Sequence, residues 1–191
     1  MTWYLPLLRA IPAIAFAAVV TFSQDHSSSV GLIALGGYGI AGGAVLVWSG
    51  VRASGVERVV LIVQGGILAV AGIIAFATTG GGLPYLVFLL SSVAALTGLL
   101  ELYLGLRGGP LRRDRMFVGG ITVLLAVAVL LVPPGFQQQL GGIEGVAGVL
   151  TASTIVVGAL GAYFAVIGVY LVIAAFSLKW APADGAAVQT R

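Results

Sequence analysis

Long apolar stretches alternate with short polar connections along the whole chain. Six stretches approach the length of a bilayer span: roughly Tyr4–Ser23, Val30–Val51, Arg58–Thr78, Leu83–Leu106, Arg115–Val132 and Ser153–Leu178. About 20 mostly apolar residues carry a helix across a hydrocarbon core. The pattern predicts an all-α, polytopic membrane protein with six transmembrane helices in one domain over residues 1–179. Residues 180–191 form an Ala/Pro/Gly-rich cytoplasmic tail, expected to be loosely ordered. The connections are short and turn-like: Gln24–Ser29, Arg52–Glu57, Thr79–Gly82 and Arg107–Asp114. The longest, Pro133–Ala152, opens Pro-Pro-Gly and carries three glutamines and Glu144, with room for a short interfacial segment.

Small residues mark one face of every even-numbered stretch. The second holds Gly36, Gly39, Gly43 and Gly50; the fourth holds Gly98 and Gly105; the sixth holds Gly161 and Gly168. Gly43-x6-Gly50-x-Arg52 and Gly98-x6-Gly105-x-Arg107 share one spacing, and Gly168, Ala175 and Lys179 follow it loosely. Small residues three or four apart let helix backbones approach where lipid supplies no hydrophobic drive. Stretches three and five both open with arginine (Arg58, Arg115) and place an alanine eleven residues on (Ala69, Ala126). These matches predict three parallel-repeat helical hairpins, over about 4–52, 58–107 and 115–179. Spare small-residue faces would suit a homo-oligomer or a membrane-protein partner.

Composition agrees with a membrane setting and removes several classes of chemistry. The 191 residues are 60% hydrophobic and 8% charged, and mean hydropathy is +1.14. A soluble domain carries roughly 25% charged residues. There is no cysteine and one histidine, His26, in a Ser-rich connection. Thiolate and multi-histidine metal sites are excluded, so no metal and no cofactor are expected. HExxH, GxSxG, P-loop and CxxC motifs are missing, and no enzymatic activity is expected.

The net charge of +3 does not point to nucleic acid, because the basic residues sit between apolar stretches, where they set orientation. With both termini in the cytoplasm, all nine fall on that side: Arg9, Arg52, Arg58, Arg107, Arg112, Arg113, Arg115, Lys179 and Arg191. The opposite side receives only Asp25, His26 and Glu144. Trp3, Tyr4 and Trp180 stand near the basic side, as interfacial anchors do. Arg107, Arg112, Arg113 and Arg115 are candidates for holding anionic lipid headgroups.

Ionisable residues inside a span are functional candidates. Glu101 lies six residues before Arg107, about 9 Å inside that end at a rise of about 1.5 Å per residue. It falls on the small-residue stripe, where the other two hairpins have Leu46 and Leu171. Arg9 is its first candidate partner. The run from Arg9 to Ser23 is too short to span, so helix one must begin near Tyr4 and draw Arg9 inward. Arg58 and Arg115 are alternatives. Gln64, about two turns inside the third stretch, is expected to hydrogen-bond across helices, and Thr97 and Thr122 to their own helix or a neighbour.

On these residues the chain resembles the HdeD-like acid-resistance membrane proteins, small bacterial six-helix proteins of repeated hairpins. The likeness rests on Arg58 opening the Gly-rich helix to Gly72, a glycine or proline turn, and the ending GLLELYLGLR (Gly98–Arg107). The first hairpin departs from the pattern, since Ile11-Pro12 follows soon after Arg9. The resemblance implies a bacterial inner-membrane location and a role in acid or envelope stress.

Three functions compete. A noncatalytic accessory protein, packing against itself, a partner or lipid, predicts a rigid bundle without a polar cavity. A transporter or channel for a small neutral or apolar solute predicts a continuous cavity lined by Gln64, Glu101, Tyr38 or Tyr163. A lipid-modifying enzyme predicts clustered polar residues at one membrane face, which Glu101 and Arg9 alone do not supply.

Overall fold

A computed structural model describes residues 3–109, 111–139 and 149–180. Six helices dominate it: α1 (Tyr4–Phe22), α2 (Ser28–Arg52), α3 (Gly55–Ala77), α4 (Gly82–Leu106), α5 (Arg112–Leu130) and α6 (Ala152–Trp180). Each follows an apolar stretch to within a few residues, because a long apolar run must satisfy its backbone internally to sit in lipid. Five are long and apolar enough to cross a membrane. The exception, α5, has 19 residues and spends its first turn on Arg112, Arg113, Asp114 and Arg115.

The long connection departs from expectation. It contains two short antiparallel strands, β1 (Gln137–Gln139) and β2 (Val149–Thr151), with Gln137 opposite Thr151. Ala152 N–H donates to the Phe136 carbonyl at 3.0 Å and ties this ribbon to the start of α6. Glu144, Arg191 and the tail from residue 181 lie outside the described residues.

The tightest packing joins helices of different predicted hairpins: α2 with α3, α4 with α5, and α6 with α1, which closes the ring. Glycine is the cause. A Cβ on Gly43 would lie 2.6 Å from the Gly65 carbonyl oxygen and 2.8 Å from the Ala69 nitrogen. One on Gly98 would lie 3.0 Å from the Val123 nitrogen and 3.1 Å from the Gly119 oxygen, and one on Gly168 would lie 3.2 Å from the Ile14 nitrogen. Only a residue without Cβ permits backbones this close. The remaining stripe glycines also face a neighbour: Gly36 the Phe76 ring, Gly39 Leu68 and Gly72, Gly50 Ile62, Gly105 Met116, and Gly161 Val20. The stripes are therefore consumed inside one chain.

The shared register gives each pair the same cross-section. Gly65, Gly119 and Ala10 take equivalent places, each four residues before its contact residue (Ala69, Val123, Ile14). Gln64, Val118 and Arg9, each one residue earlier, are then equivalent as well. Across from them stand Leu46, Glu101 and Leu171, all buried. The axis of the bundle is lined by one residue of each kind per pair.

Candidate functional site: an axial polar cavity

Helix geometry places the two axial charges at one depth. Arg9 is five residues inside the start of α1 and Glu101 five residues before the end of α4, each about 7–8 Å from its helix end. Arg9 Nη1 donates to Glu101 Oε1 at 3.0 Å. The Glu101 side chain is 2% exposed and that of Arg9 23%. The second carboxylate oxygen, Oε2, is buried and has no hydrogen-bond partner in the protein.

The other candidates separate cleanly. Gln64 is buried at 4% exposure and its Nε2 donates to the Thr97 carbonyl at 3.4 Å. That carbonyl fixes the amide orientation, since a flipped amide would set oxygen against oxygen. Gln64 Oε1 then has no partner in the protein. Thr97 Oγ1 donates to the Val93 carbonyl at 2.7 Å, and Thr122 Oγ1 to the Val118 carbonyl at 2.6 Å. Thr122 Oγ1 also lies 2.9 Å from the Tyr163 hydroxyl. Its one proton is already used, so Tyr163 is the donor of that bond.

Arg58 stands apart from the Arg9–Glu101 pair. It is exposed in the first turn of α3. Arg115, the other alternative for Glu101, instead pairs with Glu57 across α3 and α5. It is thereby engaged and less free for lipid than exposed Arg112 and Arg113. Exposed Arg107 donates to the Tyr103 hydroxyl at 2.7 Å. Aromatics gather with the cations at this basic end: Arg52 lies 3.6 Å over the Trp48 ring and Lys179 4.8 Å over that of Trp3. Tyr170 donates to Asp114 at 2.7 Å. The Glu57–Arg115 and Asp114–Tyr170 pairs have no sequence signal beyond residue type, because each joins helices far apart in the chain.

Gln64, Glu101, Thr97, Thr122, Tyr38 and Tyr163 line one cavity on the bundle axis, with Arg9 at its edge. The space open to water centres is about 40 Å³. One water needs roughly 10–15 Å³ by that measure, so the cavity has room for a few small molecules. A second cavity of about 80 Å³ shares Arg9, Leu46, Glu101 and Val118 with the first. A third of about 330 Å³, at the basic end, shares Leu5, Pro6, Ser49, Glu57, Leu61 and Leu111 with the second. The three form a file from the basic surface to the axis, interrupted at the Arg9–Glu101 pair.

Toward the other end the axial cavity meets Leu35, Leu90 and Leu160, each at most 3% exposed. They occupy the same register position in α2, α4 and α6, eleven residues before Leu46, Glu101 and Leu171. Beyond them Leu32, Leu86, Val156 and Val157 are fully buried. This apolar ring was missed in the sequence, although Leu35 and Leu160 stand one residue before the stripe glycines Gly36 and Gly161.

Among the described residues, no group of three or more His, Asp or Glu side chains comes together as a metal site. No protein-family model, curated protein or solved structure matches the chain. The class defined by fold and site is a helical, multi-pass membrane protein with a polar cavity on its axis.

Proposed function

We propose that the protein is a noncatalytic bacterial inner-membrane protein that takes a small neutral solute into its axial cavity from the cytoplasm. In this reading α5 also crosses the membrane, as the sixth span. It packs antiparallel along α4 from Met116 beside Gly105 to Val123 beside Gly98. The basic end is cytoplasmic, by the placement of Lys and Arg. The common register of the three helix pairs supports three repeated hairpins. The observation that carries the solute reading is the file of cavities ending on two unpartnered buried acceptors, Gln64 Oε1 and Glu101 Oε2. An unsatisfied buried polar group costs about 1–3 kcal/mol, which a bound solute with a donor would recover. Shrink–swell kinetics of proteoliposomes under a formamide gradient test this. Faster re-swelling than in protein-free vesicles is expected; equal rates would refute transport.

A second reading keeps the HdeD-like resemblance and an accessory role in acid or envelope stress. Gly66 and Gly120 favour it. A Cβ on either would meet nothing within 4 Å, so another helix or a second copy can approach closely there. Native mass spectrometry with retained lipid distinguishes a defined assembly from a monomer.

A further inference from the structure

We infer that the axial cavity selects hydrogen-bond donors: its ligand class is small neutral molecules carrying N–H or O–H groups, and not apolar molecules of the same size. This deepens the solute reading and rests on it for access to the cavity. The argument is a valence count. Gln64 Oε1 and Glu101 Oε2 are acceptors without a partner. The protons of Thr97, Thr122 and Tyr163 are all committed, to the Val93 carbonyl, the Val118 carbonyl and Thr122 respectively. What these hydroxyls can still offer is lone pairs.

Charge sets the second criterion. Glu101 is neutralised by Arg9 at 3.0 Å. A cation in the cavity would therefore meet no net negative charge in a poorly solvated site, and an anion would meet no net positive charge beside the two unpartnered acceptors. A neutral donor meets neither penalty. Size sets the third, since about 40 Å³ of space for water centres admits molecules of a few heavy atoms. The leucine ring of Leu35, Leu90 and Leu160 borders the cavity with no donor or acceptor.

The chain has no cysteine, so a single Thr97→Cys places the sole thiol in the cavity. The rate of its modification by a small neutral thiol reagent is measured in the purified full-length protein. Formamide and acetonitrile, each of three heavy atoms and differing in their N–H donors, serve as the probes. Formamide is expected to slow modification by a factor of 1 + [L]/Kd, about fivefold at four times Kd, and acetonitrile to leave it within the error. Gln64→Met in the same background should weaken the formamide protection. Should that variant fail to fold, the comparison of the two probes on Thr97→Cys alone still decides. Equal protection by both probes, or none by either, overturns donor selection while leaving access established. A thiol that never reacts overturns access and the inference with it. Protection without formamide flux in vesicles would retain the ligand class and remove transport.

Discussion

Replacing Arg9 by methionine separates a structural pair from an incidental one. At 3.0 Å and an effective dielectric of about 20, the attraction is about 5 kcal/mol before desolvation. Removal of one partner from a buried pair costs about 3–5 kcal/mol, because the other is left uncompensated. Arg9→Met strands a carboxylate that is 2% exposed and already has one oxygen unpartnered, so the full figure is expected. Glu101→Leu should cost less, about 1–2 kcal/mol, since Arg9 keeps 23% exposure and can turn its head toward the basic end. Leucine already stands at the equivalent places in the other pairs, Leu46 and Leu171. The double variant Arg9→Met/Glu101→Leu removes both charges and should return to within about 1 kcal/mol of the parent. Unfolding in mixed micelles, followed by helical circular dichroism, yields the three values. A coupling of at least about 2 kcal/mol is expected. Additive losses would show that the two charges do not depend on each other, and the reasoning would fail.

Glycine packing makes a paired prediction. Gly43→Ala drives a methyl to 2.6 Å from a backbone oxygen and should cost about 1–3 kcal/mol, whereas Gly66→Ala, facing open space, should be neutral or stabilising by up to about 1 kcal/mol. The same micelle unfolding assay checks both, and equal effects would contradict the close approach of α2 and α3. Gly55 opens α3 at φ +59°, so Gly55→Ala should lower stability by about 1–2 kcal/mol although nothing lies within 4 Å of the added carbon. Leu90→Asn places a polar group in the apolar ring and should raise formamide permeation through reconstituted protein above the parent rate. An unchanged rate would mean that the ring is not the barrier.

The helices were legible because an apolar run of span length has few other ways to satisfy its backbone. The depth of Arg9 was legible from the same length requirement, which forces α1 to begin upstream of it at Tyr4. Which helices pair most tightly was not legible. Gly43 would serve equally against α1 or α3 on spacing alone, and only the register with Gly65 and Ala69 decides for α3. The direction of Arg58 was not legible, because an arginine opening a span can turn either inward or out to the interface. The strands at Gln137–Gln139 and Val149–Thr151 are three residues each, too short for an alternating pattern to show. Gln64 and Glu101 were visible as isolated polar residues, but their unpartnered oxygens depend on neighbours in other helices.

The asymmetry of the axis follows from the cost of buried charge. Three equivalent positions are filled by Arg9, Gln64 and Val118, and three more by Leu46, Glu101 and Leu171. Strict threefold identity would bring three guanidinium groups and three carboxylates together on one axis. Each ion removed from water carries a penalty of several kcal/mol, which attraction recovers only in good geometry. Crowding like charges around one axis denies that geometry to at least some of them. A single pair keeps the axis neutral and confines the cost to one place. It also leaves one amide, Gln64, and one carboxylate oxygen facing the same space, where a symmetric apolar axis would offer a solute nothing to bind. The difference between the helix pairs at these positions is thus the feature that turns a packing scaffold into a candidate site.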